Sequence, residues 1–270
     1  MRASALLAIG WLAMAPAVQA AEPMVDRLAA ALRIGDVVAL LRDEGLTHGQ
    51  ELDTDMLEGT GGQYFGAQVS RIFDTDAMTA TLTGVLAAEM SFEALRDSVA
   101  FFESETGKQI VALELSARLA FIDADVEEAA LDQFEALDRG DPQRRLVEDF
   151  VEANDLIDRN VDGIIATDYS FYLGLADGGA MPRDDEGYLA LLMEDRDDLV
   201  DEISDWSLSF HLLAYHSLSH KEQQANVDFS RSPSGQELNN ALFIGFDRMY
   251  ADIYYDLGRL IAAAMEATDL

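Results

Sequence analysis

Apolar residues recur every three or four positions along almost every segment of this 270-residue chain. That spacing places them on one face of an α-helix, whereas a half-buried strand would alternate apolar and polar residues. Strand patterns of this kind are absent from the sequence. We therefore predict an all-α fold, a multi-helix bundle in which each helix buries one face.

A second feature is an internal similarity. Residues 90–107 align without a gap with residues 218–235, at a shift of 128 positions. In both copies an aromatic residue precedes the pattern S-x-x-G. The matched residues are Phe101, Ser104 and Gly107 in the first copy and Phe229, Ser232, Pro233 and Gly235 in the second. We interpret this as a duplication, in which two related helix-hairpin units, near residues 81–122 and 209–250, build a single helical domain over residues 21–270.

The repeated motif predicts a specific turn between two helices. A serine at this place can accept hydrogen bonds from the free amides of the next helix, so Ser104 and Ser232 are predicted N-caps. Glycine costs about 1 kcal/mol of helix propensity, so Gly107 and Gly235 are expected where the preceding helix comes close. The alternative is that these amides bind an anion, but a phosphate loop would have more glycines, and the second copy has Gln236 where the first has Lys108.

The N-terminus has the order of a secretory signal peptide. Arg2 is followed by an apolar run over residues 3–15 and by the small-residue exit Val18-Gln19-Ala20. This run is shorter than the roughly 20 residues of a membrane span. We predict a signal peptide over residues 1–20, cleaved after Ala20. The mature protein is then expected in the periplasm of a Gram-negative bacterium, without an integral membrane segment.

The chain has no cysteine and carries 51 acidic against 18 basic residues, for a net charge of −33. Disulfides, thiolate metal sites and cysteine nucleophiles are thereby excluded. The negative field repels nucleic acid, so no nucleic-acid partner is expected. Because the acids are spread along every segment, we interpret them as solvated helix faces, with salt adaptation of the host or cation binding as alternatives.

Long apolar stripes predict the central helices. The last helix carries one stripe from residue 238 to residue 260 and a second that includes Phe243, Tyr250 and Tyr254. A helix that is apolar on two sides lies at the centre of a fold, and these three aromatics form a candidate interaction face. Other long helices are predicted over residues 141–171 and 189–213, and shorter ones over 24–44 and 76–89. Residues 45–62 have no assignment.

Residues 158–169 resemble a calcium-binding EF-hand loop. Asp158, Asn160, Asp162 and Gly163 occupy its first, third, fifth and sixth positions, but Tyr169 stands where a bidentate glutamate is needed. The same segment continues a helical stripe. We therefore predict plain helix here, with calcium binding as the alternative.

Three histidines lie close together in the sequence: His211, His216 and His220. The spacing of four between the last two suits a metal bound on one helix face. Ser219 and Glu222, however, have the spacing of a capping box that starts a new helix between them. We interpret the three as core or surface histidines and predict no metal.

Glu114 is the most unusual carboxylate of the chain. Under the 128-residue shift it matches Leu242, at a stripe position that faces apolar neighbours. A buried carboxyl has a raised pKa and can serve in acid–base chemistry. Arg118 lies four residues later and is predicted to pair with Glu114. Because no serine, histidine and aspartate are spaced to suggest a nucleophile, no catalytic residue is assigned.

The segments FFESETGKQI and FSRSPSGQELNNALF resemble the F-[YF]-x-S-P-x-G signature of an exported bacterial family, domain of unknown function 2059. LIDRNVDGIIATDYSFYLGLADGG, between them, resembles material in its longer members. The first copy departs from the signature, because Glu105 replaces its proline. The resemblance implies a helical periplasmic protein without an assigned reaction, and it adds no catalytic residue.

Three functions are consistent with these features. The first is an interaction or scaffold module that presents the aromatic face of the last helix to another periplasmic protein. The second is a carrier that holds an apolar small molecule in a closed cavity between helices. The third is a metal-dependent hydrolase, which requires polar groups that converge around Glu114 or the three histidines. No cofactor is expected.

Overall fold

The computed structural model describes residues 15–268, and within that part the chain is α-helical and has no β-strand. The all-α prediction is confirmed. The helices are α1 (Ala15–Ala31), α2 (Ile34–Leu57), α3 (Gly62–Ile72), α4 (Thr75–Glu89), α5 (Phe92–Phe102), α6 (Glu105–Ala120), α7 (Ala124–Ala136), α8 (Pro142–Ala153), α9 (Leu156–Asp177), α10 (Asp185–Glu194), α11 (Arg196–Tyr215), α12 (His220–Arg231) and α13 (Pro233–Thr268).

Residues 1–14 of the predicted signal peptide lie outside the described residues. Helix α1 begins at Ala15 and runs through the predicted cleavage position after Ala20. The signal peptide itself stays a prediction. Among residues 15–268, no helix is both long enough and apolar enough to cross a membrane.

Polar side chains begin several helices at the places that the sequence indicates. A carboxylate oxygen of Asp141 accepts the backbone N–H of Gln143 at 2.8 Å, directly before Pro142. Ser219 and Glu222 form the predicted capping box, in which the backbone N–H of Ser219 donates to the Glu222 carboxylate at 2.8 Å. Each cap satisfies amides that a helix start leaves free. Both predicted helix starts are confirmed.

Helix α13 is the centre of the molecule. Its 36 residues span about 54 Å, and it packs most extensively against α9, with further contacts to α2, α3, α4, α5 and α12. The backbones of α9 and α13 come closest at Gly174 and Gly258, where a Cβ on either residue would overlap the opposite backbone. The central position predicted for the last helix is confirmed.

The buried apolar side chains form one large cluster and two smaller ones. The larger region joins α1–α5 to α13 and includes Leu28, Leu86, Leu95, Leu257 and Ile261. The two smaller clusters both use α7 and α11 and are together called the second region, which joins α6, α7, α8 and α11 and includes Ile110 and Phe210 of one cluster and Phe134, Val147 and Leu212 of the other. Helix α9 contacts both α13 and α11, so it connects the two regions.

The two serine motifs form turns with the same hydrogen bonds. The backbone N–H of Gly107 donates to Ser104 Oγ at 3.1 Å, and that of Gly235 donates to Ser232 Oγ at 3.0 Å. Both predicted N-caps are confirmed. A Cβ on Gly107 would overlap the carbonyl oxygen of Phe101, and one on Gly235 would overlap the carbonyl oxygen of Phe229. Glycine is therefore needed because the preceding helix comes this close.

The aromatic residues of the two motifs pack on each other. The rings of Phe101 and Phe229 stack with centroids 4.3 Å apart and planes within 4° of parallel, and Phe102 meets Phe229 edge-on at 5.4 Å. Stacked and edge-on pairs of this kind contribute about 0.5–1.5 kcal/mol beyond their buried area. The ends of α5 and α12 therefore meet at this aromatic cluster. The duplication itself stays a prediction.

The two long helices predicted over residues 141–171 and 189–213 are wrong as single helices. The first is broken into α8 and α9 at Asp155, which has a φ of 52°. The side-chain amide of Asn154 donates to the Phe150 carbonyl at 2.9 Å and to Ser230 Oγ at 3.1 Å, which ends α8 by contacts that sequence periodicity does not reveal. The second is broken into α10 and α11 at Asp195.

Residues 45–62, which had no assignment, are mostly helical. Helix α2 continues to Leu57 and contains Gly45 and Gly49. Glycine suits these two positions because a Cβ on Gly45 would overlap the side chain of Phe73, and a Cβ on Gly49 would overlap the side chain of Val69. Residues 158–169 are helical as predicted, inside α9. The EF-hand alternative is wrong, because a calcium loop cannot form within a continuous helix.

We expect Gly107→Ala and Gly235→Ala each to lower the free energy of unfolding by about 1–3 kcal/mol, because the added methyl group overlaps a carbonyl oxygen. Gly84→Ala is the matched control. Gly84 lies in α4 with nothing within 4 Å of an added Cβ, so alanine there should raise stability by up to about 1 kcal/mol through helix propensity. Urea denaturation of the three variants measures the difference. Equal effects at all three positions would contradict the close approach.

Candidate functional site

A cavity of about 810 Å³ lies where the two buried regions meet. Its wall combines side chains of the larger region with side chains of the second, among them Leu41, Phe73, Leu82, Ile110, Phe210 and Leu238. Protein interiors are close-packed and have few voids larger than a water molecule. The volume is within the range of small-molecule pockets, roughly 300–1,000 Å³. The cavity is therefore the first candidate for a functional site.

The aromatic face of α13 lines this cavity. Phe243, Tyr250 and Tyr254, predicted as an interaction face, all belong to the cavity wall and are half-buried. The most exposed apolar side chains of α10 lie elsewhere, at Leu189, Leu191 and Met193, which are 44–54% exposed. The predicted face thus borders this cavity, which is partly open to solvent.

Five polar residues gather at one part of the second region: Glu114, Ser207, His211, Tyr215 and Asn226, called the Glu114 cluster below. The hydroxyl of Tyr215 donates to Glu114 Oε1 at 2.5 Å, and the side-chain amide of Asn226 donates to the Tyr215 hydroxyl at 3.2 Å. Helices α6, α11 and α12 each contribute to the cluster. All of these residues except Tyr215 line the cavity.

Burial raises the pKa of Glu114 to about 7, and the hydrogen bond from Tyr215 opposes that rise. The side chain retains some accessible surface because it faces the cavity. The predicted pair between Glu114 and Arg118 is wrong. Arg118 Nη2 lies 2.8 Å from Glu44 Oε2 of α2, so the arginine reaches away from Glu114 and joins α6 to α2.

His211 is a neutral acceptor in the cavity wall. Its Nδ1 lies 2.6 Å from the carbonyl oxygen of Ser207, and because a carbonyl only accepts, Nδ1 carries the proton. Burial lowers the pKa of His211 to about 4, opposed by the bond to Ser207. The ring is therefore neutral near pH 7, and Nε2 retains its lone pair. The ring of Phe150 packs against His211 at 5.0 Å between centroids.

Ser207 has a buried hydroxyl without a hydrogen-bond partner anywhere in residues 15–268. Ser207, His211 and Tyr215 follow one another at intervals of four residues, so they form one polar line along α11. Buried polar atoms are normally hydrogen-bonded, and each exception needs an explanation. Because Ser207 lines the cavity, a molecule in the cavity is a chemically suitable partner for its hydroxyl.

A second polar group lies in the wall formed by α2, α9 and α13. The ring of His48 stacks on Tyr254 at 5.7 Å between centroids. Burial raises the pKa of Asp168, and the proximity of His48 offsets part of that rise. Burial also raises the pKa of Tyr250 to about 12. The cavity thus has an apolar wall with polar groups at two places.

The other histidines of the predicted cluster lie apart from the cavity wall. His216 is exposed at the end of α11, and His220 is exposed at the start of α12. Within the described part of the chain, no three potential ligands among His, Cys, Asp and Glu lie close enough to hold a metal ion. Of the motif residues, Phe229 and Gly235 line the cavity.

The polar residues that sequence reasoning missed are Ser207, Tyr215 and Asn226. The four-residue spacing of Ser207, His211 and Tyr215 is a signal that the sequence does contain. It becomes informative only once α11 is known to face a cavity. The contact between Tyr215 and Glu114 joins residues 101 positions apart, so no local pattern could have indicated it.

Comparison with known proteins gives one match. A family model described as an uncharacterized protein conserved in bacteria (DUF2059) covers residues 76–132. The expected resemblance to DUF2059 is confirmed for this segment. The match includes α4, α5, α6 and most of α7, and therefore the first serine motif and Glu114, while the second motif lies beyond it. No curated protein and no solved structure matches the chain.

Glu114 and His211 are expected to shift stability with pH in opposite directions. Glu114 binds its proton more tightly when folded, so its contribution is complete below about pH 4.5 and is lost as the pH rises to about 7. His211 binds its proton less tightly when folded, so its contribution is complete above about pH 6.5 and is lost as the pH falls to about 4. Each effect is on the order of 3 kcal/mol.

As the pH rises from about 5 to about 8, the free energy of unfolding of Glu114→Gln should therefore increase by about 2 kcal/mol relative to that of the wild type. Over the lower part of that range, the free energy of unfolding of His211→Asn should instead decrease relative to the wild type as the pH rises, because asparagine can keep the bond to Ser207 without titrating. Urea denaturation at a series of pH values measures both differences. Glu105→Gln is the control, because the Glu105 side chain is 99% exposed. Parallel pH dependence in all three variants would refute the assignment.

Proposed function

We infer that this protein is an exported helical binding protein that holds an apolar small molecule in the cavity between its helices. The observation that carries this proposal is the cavity of about 810 Å³. Its wall is mainly aliphatic and aromatic and has a few polar groups at defined places, which is the usual composition of a small-molecule site. Of the three functions consistent with the sequence, the carrier is the one that requires such a cavity.

The scaffold and hydrolase alternatives have weaker support. The scaffold hypothesis depends on Phe243, Tyr250 and Tyr254, and these residues are used by the cavity wall. The metal-dependent hydrolase requires polar groups that converge around Glu114 or the histidines, and the Glu114 cluster meets this in part, but no three potential metal ligands lie together in the described residues. A hydrolase that uses a side-chain nucleophile needs that nucleophile in contact with its base. In the described residues, the hydroxyl of Ser207 makes no hydrogen bond, and His211 bonds instead to the carbonyl oxygen of Ser207.

Export to the periplasm is supported by the N-terminal order of Arg2, an apolar run and Val18-Gln19-Ala20. The strongly negative charge favours a protein that stays in solution. A carrier in that compartment would keep a poorly soluble compound away from water between two membranes.

The binding role is tested with N-phenyl-1-naphthylamine, a neutral apolar dye whose fluorescence rises in apolar surroundings. We expect saturable binding of one dye per chain, with a parallel change in the emission of Trp206, which lines the cavity. Leu242→Trp should weaken binding by about tenfold or more, which is at least about 1.4 kcal/mol, because the larger side chain fills cavity space. Titration of dye at constant protein concentration measures both.

Leu119→Trp is the matched control, because Leu119 lies on α6 with 58% of its surface exposed and should leave dye binding unchanged. Val37→Phe, also in the cavity wall, replaces Leu242→Trp should that variant fail to fold. Binding that does not saturate, or that responds equally to the cavity variant and the Leu119 variant, would rule out the interior site.

Export is tested by expressing the full chain in a Gram-negative host and sequencing the N-terminus of the protein released from its periplasm. We expect the mature chain to begin at Ala21, because cleavage follows the small residue Ala20. Replacement of Ala20 by Arg should leave the precursor uncleaved. Recovery of uncleaved wild-type protein in the cytoplasm alone would contradict the proposed location.

A further inference from the structure

The chemistry of the cavity wall constrains the ligand further. At the Glu114 cluster, Tyr215 already donates to Glu114 Oε1, which leaves Oε2 to accept from another group. His211 retains an acceptor lone pair on Nε2, because Nδ1 donates to a carbonyl oxygen. The atoms left for a ligand at this end are therefore mainly acceptors, and they call for a ligand group that donates hydrogen bonds.

The unpartnered hydroxyl of Ser207 is the second observation that points to a ligand. Ser207 is only 1% exposed, lines the cavity and has no partner in the described residues. A buried hydroxyl without a partner costs about 1–3 kcal/mol, and a hydrogen bond to a ligand would recover that cost. A hydroxyl can both donate and accept, so this group fits beside the two acceptors.

The charges at the Glu114 cluster disfavour an anionic ligand group there. Four carboxylates line the cavity, namely Glu44, Glu114, Asp168 and Asp247. Of the two arginines in the wall, Arg118 pairs with Glu44 at 2.8 Å, while Arg159 lies 3.7 Å from Asp155 and its Nε has no hydrogen-bond partner in the described residues. The Glu114 cluster itself contains no arginine or lysine. A ligand carboxylate or phosphate at that cluster would therefore meet acceptors and the Glu114 carboxylate without a cation beside them.

Building on the binding role proposed above, we propose that the cavity selects an amphiphile whose polar end is a hydrogen-bond donor without negative charge. A primary ammonium is the best such group, and a hydroxyl is the next. The polar end lies at Glu114, Ser207 and His211, and the apolar chain extends along the aromatic wall of α13. An ammonium has three donors and a positive charge, which suit acceptors such as a carboxylate oxygen, an imidazole nitrogen and a hydroxyl oxygen.

The proposal is tested by competition against the bound dye with three ligands of equal chain length: dodecylamine, dodecanol and dodecanoate. They are compared below their micelle-forming concentrations at about pH 8, where Glu114 is ionised and a primary amine is protonated. About 0.15 M salt screens charges on the outer surface beyond roughly 8 Å. Native mass spectrometry confirms that one ligand binds per chain.

We expect dodecylamine to bind at least about tenfold, or about 1.4 kcal/mol, more tightly than dodecanoate, with dodecanol between them. Glu114→Gln should reduce this preference to about threefold or less, because the charge that attracts the ammonium is gone. Glu105→Gln removes the same charge from an exposed position of the same helix and should leave the preference unchanged. Dye affinity is measured for every variant, so each competition constant has its own reference.

The outcomes separate the two proposals. Failure of the dye to bind overturns the binding role. Dye binding with equal affinities for the amine and the carboxylate overturns only the ligand class. The ligand class is also overturned when Glu114→Gln keeps the full preference, or when Glu105→Gln loses it, because the outer surface would then be responsible. Glu114→Leu, chosen because Leu242 occupies the matching position, provides a second variant should the glutamine variant not fold.

Discussion

The backbone contact between α9 and α13 fixes the positions of the two helices on which the cavity depends. A side chain on Gly174 would overlap Tyr255, and one on Gly258 would overlap Phe171. Only glycine permits this distance, and the close approach lets main-chain atoms of the two helices pack directly. On one side α13 then contributes Leu257 and Ile261 to the larger buried region. On the other side it leaves its aromatic face for the cavity.

Two hydrogen bonds join the N-terminal end of α13 to the start of α5 and to Asp97. The backbone N–H of Ser91, at the start of α5, donates to the Glu237 carboxylate at 2.8 Å, and Ser234 Oγ donates to Asp97 at 3.0 Å. Each helix thus satisfies a polar group at the start of the other. Asp97 thus lies beside the second serine turn, at the start of α13, where a bound anion would meet its negative charge. Phe229 then contributes both to the aromatic contact with Phe101 and to the cavity wall.

The sequence predicted correctly those features of the fold that depend mainly on neighbouring residues. The helical class, the serine caps and the capping box at Ser219 depend on interactions within a few residues, and the central position of α13 was indicated by the two apolar sides of its own sequence; all are confirmed. The end of α8 was missed because Asn154 is held by Ser230 and Asn239, which lie far away in sequence. Glu114 was recognised as unusual, but its partner was not. Arg118 is bound by Glu44 of α2, which no helical spacing could indicate.

Comparison of the two serine motifs supports the ligand role proposed for Glu114. Under the 128-residue shift Ile110 matches Leu238 and Glu114 matches Leu242, and all four residues line the cavity. Leucine at the second position therefore suits this kind of turn and helix. Placing an ionisable carboxyl there costs on the order of 3 kcal/mol once it loses its proton in the folded state. The hydroxyl of Tyr215, which in turn accepts from Asn226, reduces that cost without supplying a positive charge. A costly carboxyl, oriented by one neutral donor and facing a mainly apolar space, is consistent with the ligand role proposed for Glu114.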